Sequence, residues 1–251
     1  MEGSISTLID QHIAVITFSH PVHNSLPGHL LVDLAAHIKK AGESKDVHVI
    51  ILSSGGDRTF CAGASFEELI TITNSEDGKK FFLGFANVIN AIRKCPKIVV
   101  ARVQGKTIGG GVGLAAAADY CMATNFATVK LSELALGIGP FVVGPAIERK
   151  MGLSAFSQLA INATEWQTAS WAKENGLFHE VFDSIEQLDA YLDSFSQQLT
   201  NSSPSALLAL KQMLWHDTQH WDQLLDERAG ISGRLVITEA AQLAIKAARI
   251  A

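Results

Sequence analysis

Three short segments of this 251-residue chain carry residue types that can act on a carbonyl group. Phe60-Cys61-Ala62-Gly63-Ala64-Ser65 follows the apolar run 47–52 and the polar turn 53–58, and Gly109-Gly110-Gly111-Val112-Gly113 follows the apolar run 98–103. Small residues at a strand-to-helix junction leave backbone N–H groups unshielded, and the helix dipole favours negative charge there. Glycine inside a helix costs roughly 1 kcal/mol relative to alanine, so three in succession call for a reason. An anion or a developing oxyanion held against the backbone supplies one. Two such junctions converging on one point would hold a carbonyl oxygen as it gains charge. The third segment, Leu131-Ser132-Glu133-Leu134, adds a carboxylate. Its apolar neighbours would raise its pKa toward a range suited to proton transfer.

Each segment alone has a plainer account. The glycines fit tight helix packing without a ligand, and Glu133 fits a loop carboxylate or a helix cap. Gly111-Val112-Gly113-Leu114-Ala115-Ala116 also matches the dinucleotide fingerprint, with Glu133 about 20 residues further on as the ribose acid. That reading fails on context, because residues 104–108 separate the glycines from the preceding strand. His216 and His220 have i,i+4 spacing but sit beside Trp215 and Trp221 with no third ligand, which describes an amphipathic helix better than a metal site. Cys61, Cys95 and Cys121 are odd in number and set among apolar neighbours, as buried free thiols are. No metal is expected.

Elements that could position these segments follow from periodicity. The β-branched runs 13–18, 47–52 and 98–103 read as buried strands, and 26–40 and 77–93 gather their apolar residues on one helical face. Further short strands are expected at 120–123, 127–130 and 180–182, the last after an Asn175-Gly176 helix stop. Helical patterns then cover 187–199 and 204–215, with one or two more helices through Ala251. Strands alternating with helices predict an α/β layered fold. A composition shift near residue 200 divides an α/β core, 1–199, from a C-terminal helical region, 200–251.

With 47% hydrophobic residues the chain can bury a substantial core. A net charge of −5 argues against binding nucleic acid, whose phosphates need a basic surface. No apolar run reaches the ~18 residues that span a membrane. Residues 1–10 lack the basic and apolar blocks of a secretion signal, so a cytoplasmic protein without a membrane partner is expected.

The ordered set 60–65, 109–113 and 132–137 resembles the crotonase (enoyl-CoA hydratase/isomerase) family. The match runs through nearly the whole chain, with His20-Pro21-Val22-His23-Asn24-Ser25-Leu26 before it and Asn175-Gly176-Leu177 and Asn201-Ser202-Ser203-Pro204 with Lys211 after it. The resemblance implies a crotonase-like spiral of ββα units. It also implies that the region 200–251 serves oligomerisation, as a homotrimer or a dimer of trimers. Ala64 and Gly110 would supply the oxyanion-hole N–H groups for the thioester carbonyl of an acyl-CoA, and Glu133 would be the acid/base. Ala62, Gly63, Ser65, Phe66, Gly109, Gly111 and His23 would contact CoA or substrate, His23 standing where the family has Lys or Arg. The CoA thioester is itself the substrate, so no further cofactor is implied.

Gly113 stands where typical hydratases of this family carry a second glutamate. With one carboxylate, a Δ3,Δ2-enoyl isomerase becomes a serious alternative. Against it, residues 111–114, Leu131-Ser132-Glu133, 136–140 and 149–152 resemble the hydratases of branched acyl-CoAs of the methylglutaconyl-CoA type. The expectation is therefore a 2-enoyl-CoA hydratase, with isomerisation and a non-catalytic acyl-CoA-binding scaffold as the alternatives. Phe66, Phe82, Phe85, Phe141 and Val142 are candidates for the acyl pocket.

Overall fold

The computed structural model describes residues 2–250. A hairpin opens the fold: β1 (Ser4–Asp10) pairs antiparallel with β2 (Ile13–Ser19). Its two-residue turn is Gln11-His12, both at positive φ. Asn-Gly or Asp-Gly marks such turns, so this one carries no signal in the sequence, and β1 was not expected. Most of β1 is exposed, as befits the edge strand of the sheet.

After α1 (Gly28–Glu43) the chain repeats one pattern three times. A strand enters a large sheet, a second short strand enters a small one, and a helix follows. The units are β3 (Val49–Ser54), β4 (Thr59–Cys61), the short α2 (Phe66–Leu69) and α3 (Ser75–Lys94); then β5 (Ile98–Val103), β6 (Lys106–Ile108) and α4 (Gly110–Ala117); then β7 (Tyr120–Thr124), β8 (Val129–Lys130) and α5 (Gly144–Ile161). The large sheet runs β1-β2-β3-β5-β7-β9, and the small one β4-β6-β8. From β2 onward the strands of both sheets pair in parallel, and Val129 of β8 adds one antiparallel bridge to Gln167. This is the spiral of ββα units that the resemblance implied. The strand expected at 47–52 lies two residues later, and β4 and β6, three residues each, are too short to leave a periodic trace. Because residues 106–108 form a strand, the glycines do follow one directly, contrary to the context argument made from sequence.

Alternation along the central strands divides the core. Ile50 and Leu52 face the main interior with α1, α3 and α4, whereas Val49, Ile51, Ile98, Val100 and Met122 face Leu188 and Leu192 of α7 (Ile185–Thr200). α6 (Ala169–Glu174) and β9 (Glu180–Phe182) precede α7; α8 (Pro204–Leu214), α9 (Trp221–Val236) and α10 (Glu239–Ile250) follow it. Ala251, the last residue of the expected helix, lies outside the described residues. α9 lies along α3, where Gly78 and Gly233 face each other: a β-carbon on Gly78 would stand 2.8 Å from the Gly233 Cα. Trp221, Leu225, Ala229 and Val236 of α9, with Ala241 and Ile245 of α10, join the same main core. Among the described residues no helix is long and apolar enough to cross a membrane.

Candidate active site

α4 is buried along its whole length, and its sequence explains how. A β-carbon on Gly111 would stand 2.7 Å from the Cβ of Cys61, one on Gly110 would overlap the Phe85 ring, and one on Gly113 would overlap the Val143 side chain. Three of these glycines therefore serve close packing, the plainer account considered above. Gly109 differs. It holds φ at +53° to turn the chain from β6 into α4, and its N–H donates to the Lys130 carbonyl at 2.9 Å.

The first small-residue segment arrives beside it through the sheet. β4 pairs with β6, Thr59 opposite Lys106 and Cys61 opposite Thr107, so the residues after both strands emerge together. Gly63, at φ +82°, passes so close to the second junction that its β-carbon would lie 3.3 Å from the Gly110 nitrogen. The loop is fixed from behind: Leu26 N donates to Gly63 O at 2.8 Å, and Ala62 N donates to His23 O at 3.1 Å. Buried Asn24 ties the same turn to the start of the loop, its Nδ2 donating to Gly55 O and Thr59 O at 2.7 and 2.8 Å. Among the described residues neither Ala64 N–H nor Gly110 N–H donates to a protein acceptor. Gly110 opens α4, where backbone donors lack intrahelical partners, and Ala64 stands just before Ser65, the N-cap of α2.

Strand β8 brings the third segment, with Lys130 opposite Ile108. Beyond it the chain turns tightly, Leu136 N reaching Ser132 O at 3.2 Å and Ile138 N reaching Glu133 O at 3.0 Å. The Glu133 carboxylate comes to rest on Gly109, its Oε1 2.9 Å from where a β-carbon there would stand. The residue as a whole is half-buried, but Oε2 is inaccessible and has no hydrogen-bond partner among the described residues. Burial pushes this carboxyl up from 4.5 to about 7. Near neutral pH such a group both takes and gives a proton.

These groups share a cleft of about 560 Å³ of empty space, continuous with solvent. Ala62, Gly63, Ala64, Phe66, Gly109, Gly110 and Glu133, all singled out from sequence, line it. So do the acyl-pocket candidates Phe82, Phe85, Phe141 and Val142. Ser65, Gly111, His23 and Gly113 do not. Ser65 caps α2, its hydroxyl accepting from Glu68 N at 3.4 Å, and Gly111 lies against Cys61. His23 is exposed behind the loop, which it meets through its backbone carbonyl. Gly113 lies beneath Val143, whose side chain fills the room that the missing side chain leaves. The sequence reading missed Val143, Leu136, Ile138 and Ser232, which also line the cleft. Leu136 lies inside the segment 132–137 without having been given a role, and Ile138 and Val143 follow it. Ser232 lies in α9 and carried no local signal.

Comparisons with known proteins agree with this architecture. An enoyl-CoA hydratase from Bacillus halodurans superposes with a TM-score of 0.89 at 21% identity over 97% of this chain and 99% of that one. Among curated sequences, the peroxisomal Delta(3,5)-Delta(2,4)-dienoyl-CoA isomerase of Arabidopsis thaliana is 28% identical over 95% of this chain and 90% of its own length. A probable enoyl-CoA hydratase of Bacillus subtilis is 29% identical over 85% and 82%. The model of the enoyl-CoA hydratase/isomerase family matches residues 9–238, and the chain accordingly belongs to that family of crotonase-fold enzymes.

Proposed function

We propose that this protein hydrates a 2-enoyl-CoA, or runs the reverse dehydration, with Glu133 as its single acid/base. The observation that carries the proposal is the buried, unpartnered Glu133 Oε2 in the same cleft as the two free N–H groups. The Ala64 and Gly110 N–H groups accept charge on the thioester oxygen, each contributing ~2.7–4 kcal/mol on the scale of measured oxyanion donors. Glu133 takes a proton from water as the water oxygen bonds to C3. The double-bond electrons pass through C2 to the thioester oxygen as an enolate. Glu133 then returns its proton to C2 and the carbonyl re-forms. One carboxylate closes this cycle because it ends in the protonation state in which it began.

The Val143 side chain over Gly113 favours a second reading, Δ3,Δ2 isomerisation. There Glu133 removes a proton from C2 of a 3-enoyl thioester, the dienolate charge rests on the same two donors, and the proton returns at C4. An apolar wall where a second carboxylate would hold water suits this reaction. The CoA thioester is the substrate in both. Assembly into a homotrimer or a dimer of trimers through residues 200–251, and a cytoplasmic location, are part of the proposal.

Incubation with 2-enoyl-CoA and 3-enoyl-CoA esters in heavy-oxygen water, followed by mass spectrometry, separates the readings. Incorporation of the heavy oxygen into product is expected and should vanish in Glu133→Gln. Double-bond migration without incorporation would replace hydration by isomerisation. Binding of the esters with neither reaction, and no exchange of the C2 proton, would leave an acyl-CoA-binding scaffold.

A further inference from the structure

A second pocket lies at the far end of α4, where the helix ends at Ala117. Eight residues at 1.5 Å each put it about 12 Å along the axis from Gly110. It encloses about 570 Å³ of empty space continuous with solvent, bounded by Asp119, Arg149, Lys150, His179 and Trp215. Its chemistry is lopsided.

Asp119 is its only carboxylate, and it is fully engaged. Oδ2 accepts from Val99 N and from Lys211 Nζ, and Oδ1 from Trp215 Nε1, all at 2.7 Å. The Asp119–Lys211 pair is 2% and 3% exposed, so these charges neutralise each other out of reach of solvent. Lys150 and Arg149 are left over. Lys150 Nζ spends two N–H groups on the Ala118 and Asp119 carbonyls, at 2.8 and 3.2 Å, which closes the C-terminus of α4 but leaves the positive charge without a counterion. Arg149 lays its guanidinium over the Trp215 ring, 5.1 Å from the centroid, and makes no ion pair among the described residues. Of the carboxylates nearby from other elements, Glu180 pairs with Lys173, and Asp217, whose charge reaches Arg149, stands almost fully exposed to solvent and makes no ion pair with it.

His179 adds a neutral donor. Its Nδ1 accepts the Cys121 N–H at 3.0 Å, which leaves the ring proton on Nε2, and burial pushes its pKa down to about 4. Burial likewise lowers the pKa values of Arg149 and Lys150, a cost that a bound anion would relieve. The surplus is therefore two cations and an N–H donor, with no acceptor to match.

We propose that this pocket is a binding site, separate from the cleft, for a phosphoryl dianion held by Arg149, Lys150 and His179. Two surplus cations match two charges better than the single charge of a carboxylate, and the guanidinium fork suits phosphate oxygens.

Calorimetric titration at pH 7.5 and fixed ionic strength, with inorganic phosphate and separately with glycerol 3-phosphate, tests the site and distinguishes a free ion from a phosphate monoester. Saturable binding of at least one probe is expected, weakened at least tenfold in Arg149→Gln and in Lys150→Met and kept within a few-fold in Lys150→Arg. Glu133→Gln should bind as the wild type does. Because Arg149 is exposed, its variant carries the test if Lys150→Met fails to fold. Absence of saturable binding, equal affinity in Arg149→Gln, or displacement of the anion by a 2-enoyl-pantetheine thioester, which carries no phosphate, would each overturn the proposal.

Discussion

Glu133 Oε1 stands 2.9 Å from the point that a β-carbon on Gly109 would occupy. One glycine thus does two things: its φ of +53° starts α4 with the Gly110 N–H exposed, and its bare Cα makes room for the carboxylate. Gly109→Ala should strain the backbone by about 1–3 kcal/mol and push Glu133 off its seat. A displacement near 1 Å would lower kcat/KM about 100-fold. Thermal unfolding and steady-state kinetics on the same preparation check both effects; full activity would show that Glu133 does not act from this position.

The Glu133 carboxyl, raised by burial from 4.5 to about 7, sets two pH dependences. Between those values the unfolded chain has lost the proton and the folded chain keeps it, so stability falls as pH rises from about 4.5 through 7 and levels off above. Denaturant titrations of wild type and Glu133→Gln should show this fall in the wild type alone. Because the base form starts either reaction, kcat/KM should rise with a midpoint near 7. A midpoint near 4.5 would contradict the buried carboxyl.

Val143 fills the space beside Gly113, so the two positions are coupled. Gly113→Glu alone should overpack this wall and cost about 1–3 kcal/mol. Combined with Val143→Ala it should recover part of that loss and raise hydration relative to double-bond migration, since two carboxylates can then hold a water. A double-mutant cycle on stability, with product ratios measured for each variant, reads the coupling. Additive losses and an unchanged product ratio would dissociate Val143 from the missing carboxylate.

Among the residues lining the cleft, Glu133 is the only charged one. An acyl group ending in its own carboxylate would bring a second negative charge to an apolar wall with no cation. Alkyl and branched alkenyl thioesters should therefore exceed a carboxylated enoyl thioester by at least tenfold in kcat/KM. A preference for the carboxylated ester would call for a cation from outside this chain.

The buried Lys211–Asp119 pair, 2.7 Å apart, joins α8 to the end of α4 far from the cleft. Lys211→Met removes one partner and strands the other's charge, which costs about 3–5 kcal/mol. Chemical denaturation should show that loss while kcat of the folded fraction stays within a few-fold of wild type.

Sequence reading reached the features that repeat or alternate. Ile98–Val103 and Glu180–Phe182 fall where periodicity placed them, and the three small-residue and carboxylate segments meet in one cleft. What it missed has a common physical origin. The Gln11-His12 turn adopts positive φ without glycine or asparagine, because the hairpin register from Ser4 to Ser19 enforces it. In α5, Gly152 at φ +79° and ψ 162° is not helical, so Gly144–Ile161 is two helical stretches meeting at a kink and no single helical period runs through it. Val143 over Gly113 and Ser232 in the cleft are contacts between distant elements, and no local pattern encodes them. Gly110, Gly111 and Gly113 were read as an exposed cradle, yet packing accounts for much of their conservation of space: Phe85, Cys61 and Val143 each need the room.

Ser232 of α9 lines the cleft, and Ala241 of α10 backs the turn after Glu133, its Cα 3.3 Å from where a β-carbon on Gly137 would stand. Ala64, Gly110 and Glu133 all precede these two helices in the chain. Glu133, Ala64 and Gly110 can thus stand in register while the cleft still lacks the wall from α9 and the backing from α10, so catalytic competence depends on the docking of two helices that carry none of the reacting groups.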